Sequence, residues 1–175
     1  MRLSDYQQGR LKKKNINPWY ITGFVEGEGT FHIALSQDPR MKFGWKIIPE
    51  FHVNQSYLRE NILEEIRKYF DCGYIQANHA HNKKDTTFVY VVRRREDLDK
   101  KIIPFFEKYP LRSKKHQNIL IFKKVIRLLN ENQHSDYAGI KKIIKLAFQM
   151  NENGKYRRFK REDILNSLKP SETIR

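Results

Sequence analysis

The sequence lacks the features of secreted, disulfide-linked and membrane-spanning proteins. It has one cysteine, Cys72, among 175 residues, which excludes an internal disulfide and disfavours a zinc site built from cysteines. It contains no run of about 18 apolar residues, which a membrane-spanning helix requires. Its first residues also lack the apolar centre of a signal peptide. These absences predict an intracellular protein without a membrane partner, either in the bacterial cytoplasm or in an organelle.

Acidic residues are scarce relative to basic ones. The chain has 35 Lys and Arg against 20 Asp and Glu, and therefore a net charge of +15. This balance favours a polyanionic partner, with a nucleic acid first among the candidates. Hydrophobic residues make up 39% of the chain and aromatic residues 13%, which is more apolar surface than a disordered basic tail carries. We expect a basic N-terminal arm over residues 1–16 and one folded domain over residues 17–175.

The hydrophobic pattern predicts an α+β fold in the order helix, two strands, helix, two strands, helix, with further helices at the end. Asn17 as N-cap and Pro18 at the first helical position begin the first helix, which should end near Gly29. Strict alternation from Thr30 onward then predicts two antiparallel strands. Pro49 in the second strand indicates an edge or a bulge. The residues predicted to face the core are Phe31, Ile33, Leu35, Phe43, Trp45, Ile47, Phe51 and Val53.

The stretch "ITGFVEGEGT", residues 21–30, combines glycines and acids at the end of the first predicted helix. Gly23 and Gly27 lie four residues apart and leave one helix face bare, at a cost of about 1 kcal/mol each relative to Ala. Such a face suits the close approach of a second backbone, although tight packing within one chain or a helix C-cap would also explain glycine. Glu26 and Glu28 stand at the negative end of the helix dipole. A divalent cation such as Mg²⁺ would make acids favourable there.

These residues resemble the motif of the LAGLIDADG homing endonucleases, and the predicted element order is similar to the αββαββα core of that family. The resemblance implies a curved β-sheet saddle on double-stranded DNA and a homodimer joined through the motif helix at Gly23 and Gly27. It is strongest with single-motif homodimeric members such as an algal chloroplast rRNA-intron enzyme. In those members the last motif acid, here Glu28, binds the metal. The preceding glycine, here Gly27, offers its carbonyl.

Three further matches extend the resemblance along the chain. Gln55 and Arg59 in "VNQSYLRE" match a glutamine and an arginine that organise active-site water in the family. Lys114 in "YPLRSKKHQ" matches a lysine that balances charge at the scissile phosphate. The segment "NGKYRRFKR" resembles a region that grips the DNA backbone, here through Lys155, Arg157 and Arg158. The motif departs from the family pattern because glutamate stands at both positions where aspartate is common.

Outward-facing side chains of the predicted strands are candidates to read base edges, since a two-stranded ribbon fits the major groove. The sequence therefore predicts a Mg²⁺-dependent, homodimeric, site-specific endonuclease that is encoded in a group I intron. By resemblance it should cut a long pseudo-palindromic site across the minor groove and leave short 3′ overhangs. An intron RNA maturase and a catalytically inactive DNA-binding protein are the alternatives. The candidates on the first hairpin are His32, Ser36, Asp38, Arg40, Lys46, Ile48 and His52; those on the second are Gln76, Asn78, Thr87 and Arg93.

Overall fold

The computed structural model describes residues 16–56, 61–78, 86–155 and 157–168. Its element order confirms the predicted α+β fold, with an αββαββα core and appended helices. The arm predicted over residues 1–16 lies almost wholly outside the described residues, so the boundary at residue 17 stays a prediction. The elements are α1 Pro18–Glu28, β1 Gly29–Gln37, β2 Trp45–Ser56, α2 Asn61–Phe70, β3 Tyr74–Ala77, β4 Thr87–Val92, α3 Arg95–Asp97, α4 Ile103–Lys108, α5 Lys115–Asn130, α6 Tyr137–Ala147 and α7 Arg161–Ser167.

Helix α1 begins and ends where the sequence predicts. The Asn17 side chain accepts a hydrogen bond from the backbone nitrogen of Trp19 at 2.9 Å, and Pro18 fills the first turn. The helix ends at Glu28 because Gly29 has an extended backbone. A Cβ atom on Gly29 would lie 2.4 Å from Cγ1 of Val25, so glycine allows the chain to pass directly from α1 into β1. Glu28 is therefore fixed at the junction between helix and sheet.

The four strands form one antiparallel sheet in the order β1-β2-β4-β3. Gly29 at the start of β1 lies opposite Val53 of β2. Strand β4 pairs with β2 only over Phe51–Ser56, so among the described strands the part of β2 that contains Pro49 has a neighbour on one side. This position explains how β2 tolerates a residue without an N–H group, and it confirms the edge predicted there.

The inner face of the sheet packs against the helices and forms the main core. Phe31 of β1 stacks on Phe51 of β2 with ring centres 5.2 Å apart, and the edge of Phe106 packs against Phe31 at 5.4 Å. Each large apolar side chain that is fully buried contributes about 1.5–3 kcal/mol. All strand residues predicted to face inward are buried or half-buried, which confirms the register of the alternation.

A second apolar cluster attaches the C-terminal helices to the first hairpin. Trp45 at the start of β2 packs with Ile144 of α6 and Ile164 of α7. The indole nitrogen of Trp45 also donates a hydrogen bond to Oγ of Ser167 at 2.9 Å. The C-terminal segment is therefore anchored beside the β1–β2 hairpin.

The connection between α3 and α4 is a π-helical turn, Leu98–Ile102, which the sequence pattern did not predict. The backbone nitrogen of Ile103 bonds to the carbonyl of Leu98, five residues earlier. Just before helix α5, Oγ of Ser113 accepts a hydrogen bond from the backbone nitrogen of Lys115 at 3.1 Å. Across the described residues, every helix is too short or too polar to cross a bilayer.

Candidate functional site

One face of α1 is open to solvent and almost bare. Trp19 and Tyr20 at its beginning are 50% and 55% exposed. A Cβ atom added at Gly23 or at Gly27 would meet no atom of the described chain within 4 Å. Packing among the described residues therefore does not require these glycines. The face they form can receive another backbone, as the sequence analysis predicts.

The carboxylate of Glu26 joins α1 to the segment before α5. Its Oε1 atom accepts hydrogen bonds from the backbone nitrogens of Arg112 and Ser113, the second at 3.1 Å. Burial raises the pKa of Glu26, but the hydrogen bonds from the side chain and backbone of Ser113 and from the backbone of Arg112 outweigh it, so the net pKa is lowered. The Glu26 carboxylate is thus ionised at neutral pH, and it connects α1 to the segment before α5.

Lys115 of α5 makes the complementary contact with the end of α1. Its ammonium nitrogen donates to the carbonyl oxygens of Val25 at 3.0 Å, Glu26 at 2.7 Å and Gly27 at 3.0 Å. A cation here is favourable because these carbonyls carry the negative end of the helix dipole. Burial lowers the pKa of the ammonium group, and the charges of Glu26 and Glu28 oppose that shift. We call these contacts, together with those of the Glu26 carboxylate, the reciprocal cap.

The sequence analysis missed Lys115. It selected Lys114, whose side chain is exposed at the first residue before α5. Both lysines line one cavity, and only the first turn of α5 decides which of the two ammonium groups meets α1. The tandem "KK" in the sequence signals that a basic group stands there, but it does not tell the two apart.

Glu28 and Gln55 lie at the same end of the sheet. Glu28 is exposed at the last residue of α1. Gln55 lies two residues beyond the position on β2 that faces Gly29, and its Oε1 atom accepts a hydrogen bond from the backbone nitrogen of Ser56 at 2.7 Å. Arg59 falls outside the described residues, so its predicted role stays a prediction.

The donors at the end of α1 fit a hard cation such as Mg²⁺, but they are too few to enclose it. Glu28 offers a carboxylate and Gly27 a carbonyl, which are oxygen ligands of the kind Mg²⁺ prefers. No cluster of three or more His, Cys, Asp or Glu that could hold a metal occurs among the described residues. The Gly27 carbonyl also accepts the hydrogen bond from Lys115. Ligands from a second chain or from substrate phosphates would have to complete the site.

The strand register places most predicted base-reading residues on one surface, the outer face of the sheet. In β1 and β2 the pairs Ser36 with Lys46, Ala34 with Ile48, and Thr30 with His52 stand opposite each other. The same face continues into β4 and β3, where Val89 faces both Asn54 and Gln76. Contact with DNA itself stays a prediction. The candidates brought onto this face are His32, Ser36, Lys46, Ile48, His52, Gln76, Thr87 and, by continuing the same alternation, Asn78 and Arg93.

His32 lies on this face and is half-buried. Burial lowers its pKa to about 4, the charges of Arg157 and His52 act in the same direction, and Glu50 opposes them. The imidazole is therefore neutral at neutral pH. It can offer one donor and one acceptor to a base edge.

Asp38 and Arg40 are engaged with each other in the β1–β2 turn. Nε and Nη2 of Arg40 each lie 2.9 Å from a carboxylate oxygen of Asp38, and the backbone nitrogen of Arg40 donates to Oδ1 at 3.1 Å. The bonds from the Arg40 side chain and then its backbone lower the pKa of Asp38 to about 2. Asp38 is 8% exposed, so it organises the turn, whereas Arg40 remains exposed.

Arg157 is also engaged within the chain, and it is less exposed than Lys155 and Arg158. It donates from Nη1 to the carbonyl of Ile33 at 2.7 Å and from Nη2 to the carbonyl of Ala147 at 2.9 Å. Its guanidinium group packs over the Phe148 ring at 5.0 Å. A phosphate contact by Arg157 stays a prediction. It would have to use guanidinium N–H groups that do not bond to Ile33 or Ala147.

Asn151 supports the same edge of the sheet. Its side-chain nitrogen donates to the carbonyl of Phe31 at 2.9 Å, and its side-chain oxygen accepts from Asn118 of α5 at 3.0 Å. A cavity of about 810 Å³ opens between β1, the start of α5 and this C-terminal segment. Its basic lining includes Lys114, Lys115 and Arg158, so it lies next to the reciprocal cap.

Comparison of the sequence with known proteins identifies a matching family and several similar proteins. The family model described as "LAGLIDADG endonuclease" matches residues 21–126. The chain is 34% identical over 137 residues to "Probable intron-encoded endonuclease 2" of Neurospora crassa, a match that covers 78% of this chain and 29% of that protein. It is 30% identical over 135 residues to "DNA endonuclease I-CeuI" of Chlamydomonas moewusii, covering 75% of this chain and 61% of that protein.

Solved structures resemble the chain over most of its length. The homing endonuclease I-TnaI superposes with a TM-score of 0.74 at 31% identity, covering 87% of this chain and 96% of that chain. I-SmaMI bound to uncleaved DNA target in the presence of calcium ions superposes with a TM-score of 0.72 at 32% identity, covering 78% of this chain and 45% of that chain. The chain thus spans nearly all of one of these proteins and less than half of the other.

Proposed function

Because this chain belongs to the LAGLIDADG endonuclease family, we propose that it is a Mg²⁺-dependent, sequence-specific endonuclease of double-stranded DNA that acts as a homodimer. Support for DNA as the substrate comes from the net charge of +15 and from the polar outer face of the sheet. Support for cleavage comes from relatives named as intron-encoded or homing endonucleases.

One observation carries the proposal: the open face of α1 ends in the exposed acid Glu28. Gly23 and Gly27 have no neighbours within the described chain that would need their small size. A second copy of α1 against this face would bring a second Glu28 to the same place. The two carboxylates and the phosphates of DNA would then supply the ligands that one chain lacks.

The protein groups around this point suit phosphodiester hydrolysis. Bound Mg²⁺ would supply Lewis acidity for activating water and for stabilising the leaving oxygen. The Glu28 carboxylates would hold the cation, and the ammonium group of Lys114 would lie near the negative charge that develops on the phosphate. Gln55, and Arg59 beyond the described residues, would orient water. The reciprocal cap would keep the end of α1 fixed while these groups act.

The outer sheet face would select the site. A homodimer presents two such faces, so its target would be long and pseudo-palindromic, with the scissile phosphates across the minor groove at the centre. Arg40, Arg158 and Lys155 lie at the borders of the face or beyond it, and they would contact the DNA backbone. By family resemblance the products would carry short 3′ overhangs.

The relatives that are named as intron-encoded also bear on the genetic origin and the location of this protein. We propose that a group I intron encodes it and that it acts inside the cell, in an organelle or in the bacterial cytoplasm. Its target would then be an allele that lacks the intron.

A selection from randomised double-stranded DNA tests the proposal. The protein is incubated with the library in Mg²⁺, and the cleaved molecules are sequenced to obtain both the target and the overhangs. Glu28→Gln should lower cleavage of the selected site about 100-fold or more, because it removes the carboxylate that would hold the Mg²⁺ that stabilises developing charge, and should leave binding within a few-fold. Glu65→Gln on α2, also an exposed glutamate, is the matched control. Absence of cleavage from every library would refute the nuclease and favour a maturase or an inactive binder.

A further inference from the structure

Glu50 is an acid in the middle of the face that we propose to contact DNA. It stands opposite His32 in the pairing of β1 and β2, and it belongs to the outer face by alternation. It is nevertheless only 6% exposed. An unpaired carboxylate on this face would repel phosphate. Its burial therefore requires partners, and those partners indicate its role.

Two basic side chains enclose Glu50. Its Oε1 atom forms an ion pair with Nε of Arg93, and its Oε2 atom lies 3.0 Å from Nε2 of His52. Burial raises the pKa of Glu50. The contacts with His52 and then with Arg93 lower it by more, so the net pKa is below its ordinary value. The carboxylate is therefore ionised at neutral pH and can hold both partners.

Arg93 is held on its other side as well. It follows β4 directly, and its guanidinium carbon lies 5.9 Å from the centre of the Tyr74 ring on β3. Glu50 on β2 and Tyr74 on β3 thus contact the same guanidinium group from opposite sides of β4. The Arg93 side chain is nevertheless 47% exposed, so it is oriented by its neighbours without being covered by them.

The contact with Glu50 uses one edge of the guanidinium group. The ion pair engages Nε, and the end that carries Nη1 and Nη2 lies on the other side of the guanidinium carbon. That end has the geometry for a bidentate contact with O6 and N7 of guanine, which is the commonest specific contact in the major groove. An arginine that is already oriented also loses less rotamer freedom when it binds.

We propose that Glu50 is a positioning residue for DNA specificity, which holds Arg93 so that its two terminal amino groups read one guanine in each half of the target site. The inference rests on the proposed function, since it requires a selected DNA target. Glu50 would then contribute to base recognition without touching a base itself, because it acts through Arg93.

The experiment first enriches a binding site from randomised duplex DNA with the wild-type protein in Ca²⁺. Each base pair of that site is then changed in turn, and relative affinities are measured for the wild type, Glu50→Gln, Arg93→Gln and the double variant. Glu64→Gln is the matched control, because Glu64 also pairs with an arginine, Arg67 at 2.8 Å, but on α2, a helix whose buried residues belong to the core on the inner face. Thermal unfolding of each variant verifies that it is folded, and Glu50→Asp retains the charge if Glu50→Gln fails to fold.

The expected result is a local loss of discrimination. Glu50→Gln and Arg93→Gln should both lower the preference for one and the same G·C pair in each half-site, by about fivefold to tenfold or more, and the double variant should lose no more than Arg93→Gln alone. Glu64→Gln should leave every position unchanged. The inference is overturned if Glu50→Gln weakens all sites equally or affects a different base pair from Arg93→Gln. Failure of the wild type to enrich any site would instead overturn the proposed function, and this inference with it.

Discussion

The ammonium nitrogen of Lys115 lies 2.7 Å from the carbonyl oxygen of Glu26, while the Glu26 carboxylate accepts hydrogen bonds from the backbone just before α5. Lys115 thus caps the end of α1, and Glu26 holds the segment that leads into α5. The contact spans 89 positions of sequence, and it fixes the end of α1 one residue before Glu28. A site that needs Glu28 in a defined place is therefore supported from within one chain.

Replacing Lys115 by Met should destabilise the fold. It removes three hydrogen bonds from a charged donor and leaves the carbonyls at the end of α1 without them, so we expect a loss of about 1–3 kcal/mol in the free energy of unfolding. Urea denaturation measures this loss. Lys114→Met is the matched control and should change stability by less than about 0.5 kcal/mol, since its side chain is exposed. Equal losses in the two variants would contradict the assignment of the cap to Lys115.

Replacing Gly23 by Leu should separate dimerisation from folding. A Cβ atom at this position meets nothing within 4 Å inside the described chain, and Leu is about 0.8 kcal/mol better than Gly in a helix. We expect a folded monomer by sedimentation and a melting temperature that is independent of protein concentration. Gly29→Ala gives the contrast, because its Cβ atom would clash with Val25 and should destabilise the monomer itself. A Gly23→Leu protein that remains dimeric would exclude this helix face as the interface.

Arg157 and Arg158 are adjacent and carry the same charge, yet their substitutions should have different effects. Arg157→Gln removes the bonds to Ile33 and Ala147 and should cost about 2 kcal/mol of stability or more. Arg158→Gln should leave stability nearly unchanged and reduce DNA affinity together with the salt dependence of binding. Denaturation curves and affinities at two salt concentrations distinguish the two effects. Unchanged stability in Arg157→Gln would contradict a structural role for Arg157 and leave only the predicted contact with phosphate.

His32 should make the protein sensitive to acid. Burial lowers its pKa from 6.5 to about 4, so between these values the unfolded chain binds more protons than the folded one. Stability therefore falls as the pH drops from about 6.5 to 4, by about 2–3 kcal/mol from this residue. The difference in unfolding free energy between the wild type and His32→Gln, followed across this range, measures the effect. A difference that does not depend on pH would contradict a buried neutral His32.

The sequence predicted the elements that depend on local chemistry. Asn17 and Pro18 fix the start of α1, Gly29 fixes its end, and the alternation around Phe31 and Phe51 fixes the inner face of the sheet. These features can be predicted because they depend only on neighbouring residues and on which face of the sheet is apolar. Family resemblance assigned roles in one site to Glu28, Gly27 and Gln55, and the structure places these residues at one end of the sheet.

The sequence did not reveal which polar side chains turn inward. Arg157 stands in a dense basic segment, and only the tertiary fold brings it to the Ile33 carbonyl. Lys115 differs from Lys114 by one step around a helix whose exact start the pattern does not give. The alternation of β2 places Glu50 on the outer face, but its burial depends on Arg93, which lies 43 residues later and beyond another hairpin. Such contacts depend on distances that no local pattern contains.

The most direct test of the shared site is a crystal structure of the protein on its selected DNA in Mn²⁺, with the metal located by anomalous scattering. The account predicts manganese at the centre of the duplex, bound by Glu28 carboxylates from two chains whose α1 helices meet at Gly23 and Gly27. Glu28 side chains that lie far apart, or that face solvent with no metal beside them, would contradict it.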